Sequence, residues 1–163
     1  NRVQDIFTSN FKEGQSGNLI LLKSLKDAKE EGLRPSIYTH PLGVYGHSAG
    51  PAIGMWDSQG GVPGTGDYPL HYNTVYAIEL NTTVEIKQWK KDIRIMLEED
   101  GFYGENGFRY IDGRQEKIKT VKKMFNPILN DLILDDSLIL ESLCLGSNVF
   151  TSFIAIPSST KCA

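Results

Sequence analysis

The thirteen residues Thr74–Ile86, "TVYAIELNTTVEI", limit what this chain can fold into more than any other stretch. They are rich in β-branched and aromatic side chains, which suit a pleated surface and lose rotamer freedom in a helix. On a strand, Tyr76, Ile78 and Leu80 share one face, and Val75, Ala77 and Glu79 share the other. Both faces are apolar apart from Glu79, so the strand belongs inside a sheet. Partners follow in the sequence. Lys87–Asp92 reads as a polar turn, "IRIMLEED" (93–100) as the second strand of a hairpin, and "GFRYID" (107–112) as a third strand after the Glu105-Asn106-Gly107 turn. In the second strand Ile93, Ile95 and Leu97 form the expected core face. Glu98 lies opposite them with Arg94 and Met96.

Upstream, the periodicity changes to that of helices. Val3, Ile6, Phe7 and Phe11 stand at helical spacing, and Gly14 breaks the pattern. Ser16 is a cap for a second helix, "GNLILLKSLKDAKEEG", which Gly32 ends. Its expected buried stripe is Leu19, Leu22, Leu25 and Ala28, with Lys23, Lys26, Lys29 and Glu30 on the wet side. "RPSIYTH" (34–40) is a short strand entering a loop with two histidines. Residues 54–73 hold five glycines and two prolines and predict a long loop with little regular structure. Loops of that length are usually functional or disordered. Residues 122–163 are apolar and poor in basic side chains, and read as a helix followed by a strand.

Composition removes several function classes. The formal charge is −3, and no basic patch stands out, which argues against nucleic acid as a partner. No apolar run is long enough to span a bilayer, so no membrane partner is expected. Cys144 and Cys162 form neither a disulfide framework nor a CxxC pair. No secretory signal is visible, although the chain starts at Asn1 and an upstream segment is expected.

What remains is a set of imidazoles and carboxylates. "HPLGVYGHSAGP" (40–51) places His40 and His47 seven positions apart in a glycine-rich loop. A carboxylate in a strand as apolar as that of Glu79 is costly unless it is paired or bound to a metal. Two readings of Glu79 stay open: a metal ligand, or a salt bridge to Arg94 across the sheet. Histidine with carboxylate suits zinc, manganese, iron or cobalt. A histidine at the end of a strand is equally a hydrogen-bonded structural residue. His71 reads as a surface residue.

Three blocks together resemble a known family. "THPLGVYGHSAGP", "LHYNTVYAIELN" and "IRIMLEEDGFYGENGFRYIDG" are similar, in order and spacing, to the pita-bread metallopeptidases: Xaa-Pro aminopeptidases, methionine aminopeptidases and creatinase. The likeness runs over about residues 1–121, the C-terminal part of such a catalytic domain, and leaves 122–163 as a tail of unknown role. It implies an α+β, partial pita-bread fold: a curved antiparallel sheet with helices packed on one face. It also implies a peptide substrate hydrolysed at its N-terminus, residues before proline included, and a divalent metal cofactor (Mn, Zn or Co). By position, His40, Glu79 and Glu98 would be metal ligands. His47 would contact substrate and steady the tetrahedral intermediate, and Glu79 would also shuttle protons. In that chemistry two metal ions acidify a bridging water and polarise the scissile carbonyl.

Departures accompany the likeness. Pro41 stands where glycine is usual, Ser48-Ala49-Gly50 replaces a Glu-containing pair, and Met96 stands where arginine is common. Glu99 competes with Glu98 for the ligand position but shares the phase of Ile95 and Leu97. The family's two aspartate ligands have no counterpart before His40, where Asp5, Glu13, Asp27, Glu30 and Glu31 all fall in helical or turn segments. The expectation is a truncated form, inactive alone, holding at most one loose metal. The alternative is a non-catalytic peptide- or protein-binding module. A hairpin with an unpaired edge also favours a homo-oligomer.

Overall fold

The structure is a computed structural model and describes residues 1–118. The expected helix and strand of 122–163, the two cysteines and the boundary at 121/122 lie outside the described residues. Two helices, α1 (Arg2–Ser9) and α2 (Gly17–Glu30), precede a five-stranded antiparallel sheet: β1 (Pro35–Ile37), β2 (His40–Pro41), β3 (Thr74–Ile86), β4 (Lys91–Gly104) and β5 (Gly107–Tyr110). The fold is mixed α+β, as the sequence implies.

The long strand forms over the residues its composition indicates and is central. β1 and β2 pair with one side of β3, β4 pairs with the other along its whole length, and β5 pairs with the far end of β4. The polar turn is shorter than expected, because Lys90 takes a left-handed conformation and β4 starts at Lys91. "RPSIYTH" splits into two short strands, β1 and β2.

Helix α2 starts where Ser16 accepts a hydrogen bond from the Leu19 amide at 3.2 Å. It ends at Gly32, whose φ of +77° suits glycine. Its buried face differs from the expected one. Ile20, Leu21, Ser24, Leu25 and Ala28 are buried, while Leu19 and Leu22 are 50% and 49% exposed. The run Leu19-Ile20-Leu21-Leu22 is apolar at four successive positions, so its phase is set by contacts. Asn18 provides them: its side-chain oxygen accepts from the Val62 amide at 2.6 Å, and its nitrogen donates to the Val62 carbonyl at 3.1 Å.

Both helices cover the Tyr76, Ile78 and Leu80 face of β3. Phe7, Phe11, Ile20 and Leu21 pack there with Ile37, Ile53, Leu70 and Tyr103. The cover stops short of the hairpin tip. Ile95, expected in the core, is 44% exposed, and Ile93 is only partly buried. β1 reaches no further along β3 than Thr82, so beyond that point the sheet is a two-stranded ribbon.

The long loop is irregular, as expected, yet packed at several points: Gly54, Val62, Gly66 and Leu70 are buried. Gln59 fixes it to β1. The Ile37 amide donates to Gln59 Oε1 at 2.9 Å, and Gln59 Nε2 donates to the Ile37 carbonyl at 2.8 Å and the Met55 carbonyl at 2.7 Å. One side chain thus satisfies the backbone groups that a neighbouring strand would otherwise bind.

Candidate functional site

The face of the sheet away from the helices collects the polar side chains. Glu79 lies directly opposite Glu98, and His40 lies opposite Ala77, which lies opposite Asp100. Tyr38 stands beside Glu79, its amide donating to the Glu79 carbonyl at 3.1 Å. Arg94 lies opposite Thr83. The Arg94 partner considered for Glu79 is therefore replaced by His40, whose Nε2 is 3.0 Å from Glu79 Oε1.

His40 is held by its backbone neighbours. Thr39 and Ile53 exchange both hydrogen bonds, at 3.1 and 2.9 Å, and the Leu42 amide donates to the Val75 carbonyl at 2.8 Å. The ring's Nδ1 lies 3.0 Å from the Pro41 carbonyl. The ring thus lies between a backbone carbonyl and a carboxyl group. The loop then turns at Gly43–Gly46 and returns, with the Ser48 amide donating to the Pro41 carbonyl at 3.1 Å. This folds His47 onto His40, with ring centroids 4.1 Å apart and planes 20° apart. The loop also accounts for one departure from the family pattern. A Cβ on Gly50, whose φ is +138°, would lie 2.8 Å from Pro41 Cγ, so proline at 41 goes together with glycine at 50.

Glu99 turns to the other side of the sheet. It accepts from Gln4 Nε2 and, at 2.9 Å, from the Gln115 amide. Glu98 is left facing His40 and Glu79. Loss of water at the sheet surface, helped by the negative charges of Glu79 and Asp100 and opposed by His40, holds the Glu98 carboxyl above its ordinary range. A raised carboxylate pKa favours the folded state below the ordinary range, and this advantage is lost as pH rises through the folded-state value. Glu98→Gln is therefore expected to stabilise the fold at pH 7 by no more than about 1 kcal/mol, given its contact with water, and so to raise Tm. The difference should vanish near pH 3.5, and thermal melts at the two pH values check it.

Sequence reasoning did not single out Tyr38 and Asp100. Each lies two residues from a named candidate, His40 and Glu98, and so shares its face by simple alternation. His71 is exposed, as expected, with Nδ1 2.9 Å from Glu13 Oε1.

The geometry can be set beside known proteins. A crystal structure of an X-Pro aminopeptidase from Thermotoga maritima MSB8 superposes with a TM-score of 0.51 at 23% identity, over 74% of this chain. The likeness is one of fold. This chain spans 31% of that protein's length. No protein-family model and no curated protein matches the sequence.

Among the described residues, no group of three or more histidine, cysteine, aspartate or glutamate side chains is disposed to hold a metal ion. His40 Nε2 is engaged by Glu79, and one imidazole with two carboxylates is too small a donor set for two ions. The described residues do not fit a two-metal centre.

Proposed function

We propose that the chain provides the histidine–glutamate side of a metal-dependent aminopeptidase site, and that alone it binds peptide without cleaving it. The observation that supports this reading is the convergence of His40 on Glu79, with Glu98 opposite Glu79 across the sheet. In this reading His40 and Glu79 would exchange their mutual bond for a divalent ion that Glu98 and donors beyond the described residues complete, with His47 over His40 as the substrate contact. Turnover needs donors beyond the described residues. The substrate is a peptide cut at its N-terminus, and residues before proline are the first specificity to assay. The second reading, a non-catalytic peptide-binding module, is favoured by the direct His40–Glu79 bond, which occupies the groups a metal would need.

Calorimetric titration of the 163-residue chain with Mn, Zn and Co separates the two. The first reading expects one weak site that is lost in His40→Ala and in Glu98→Gln, with no hydrolysis of X-Pro peptides by the chain alone. Absence of any binding dependent on His40 favours the module and rejects the metal site.

A further inference from the structure

One edge of the sheet is closed and the other is open. The Glu79 carbonyl accepts from Tyr38, and the Thr83 amide donates to the Arg34 carbonyl, so odd-numbered β3 residues turn their backbone groups toward β1. Even-numbered β3 residues bond to β4, where their partners are odd-numbered: Leu97 for Leu80 and Ile95 for Thr82. It follows that Arg94, Met96 and Glu98 direct their amides and carbonyls away from β3. At Asp100 the outward carbonyl already accepts from the Ile111 amide at 2.9 Å, and β5 covers the strand beyond it. Between Asp92 and Glu98, among the described residues, no backbone group pairs with this edge.

Charges mark the two ends of the open stretch. Arg94, at one end, is exposed and makes no ion pair among the described residues. At the other end, Glu98, Asp100 and Glu79 lie on the same face of the sheet as Arg94. Glu98 lies four steps along the strand from Arg94, about 13 Å. An extended zwitterion of about four residues has that length between its end groups.

We infer that the β4 edge at Arg94–Glu98 binds a short peptide as an added antiparallel strand, its ammonium at the Glu98–Asp100 end and its carboxylate on Arg94. The direction follows from the charges. β4 runs from Arg94 to Glu98, so a peptide with its amine at Glu98 runs the opposite way, the better-bonded arrangement of the two. Backbone pairing supplies affinity without regard to side chains, and the end groups supply orientation and length. This peptide site lies on the far side of β4 from His40, and Glu98, which faces Glu79 across β3 and β4, is where it adjoins the proposed metal site. It deepens the proposed function by naming the substrate class as short peptides with free ends, but it requires neither metal nor cleavage.

The test uses the full 163-residue chain without added metal, titrated with tetra-alanine, its C-terminal amide and its N-acetyl form. The free peptide is expected to bind about tenfold more tightly than either blocked form. Arg94→Gln should abolish the preference for the free acid and leave the preference for the free amine. Asp100→Asn should weaken the preference for the free amine alone. Amide exchange at Arg94, Met96 and Glu98 should slow when peptide is bound. Equal affinity for all three peptides overturns the inference, as do amides at these positions that are already protected without peptide. Loss of the metal site in the titration above leaves this result unaffected, so the two readings fail separately.

Discussion

Gly54→Ala is expected to destabilise the fold by about 2–5 kcal/mol. Gly54 adopts φ +75°, where an L side chain is strained by about 1–2 kcal/mol. Space is the larger obstacle. A Cβ there would lie 2.1 Å from the Ile37 carbonyl oxygen and 3.0 Å from Leu21 Cδ1. The Ile37 oxygen cannot move aside, since β1 is held by β3 on one side and by Gln59 on the other. Overpacking of this kind adds about 1–3 kcal/mol. The total is a large part of the stability of an ordinary domain. The damage also reaches the site, because Ile53, the preceding residue, forms the bridge to Thr39 that holds His40 in place. Circular dichroism and urea unfolding check this. Gly14→Ala is the control: its φ of +78° carries the same backbone strain, but no atom lies within 4 Å of the added Cβ. It should cost only the strain.

Phe11→Ala is the second change with a large expected effect, about 3–5 kcal/mol. Phe11 lies just past the end of α1, and its ring meets four others edge-on: Phe7 at 5.1 Å, Phe108 at 5.3 Å, Tyr76 at 5.4 Å and Tyr103 at 5.7 Å. Those partners belong to α1, β5, β3 and β4. Removing the ring leaves a cavity where all four elements join, and each lost aromatic pair adds to the lost burial. Chemical denaturation should show a lower midpoint with an unchanged slope. Phe11→Leu, which keeps most of the volume, should recover more than half of the loss.

The parts of this fold that depend on local chemistry could be read from the sequence. β3 declares itself because eight of the thirteen residues in Thr74–Ile86 are β-branched or aromatic. The Glu98 and Glu99 alternatives separate because a strand has a strict two-residue period, and Glu99 does go to Gln4 on the other face. The α2 stripe could not be read, because Leu19 to Leu22 satisfies two helical phases equally. The choice is made by Asn18 gripping residue 62, forty-four positions away. The order within residues 54–73 is hidden for the same reason: side chains outside the loop, or far along it, hold it in place. Spacing leaves two options for Glu79, a metal ligand and a salt bridge to Arg94. Register removes the second by setting Arg94 opposite Thr83, and the bond that Glu79 does make, to His40, is neither of the two.

Gln59 has a consequence for how such a sheet grows. By occupying both main-chain groups of Ile37, its amide acts as a chain terminator on the β1 flank. A sheet with one terminated flank adds material on the other flank only. Thr39 adds a second stop on the same flank through its two bonds to Ile53.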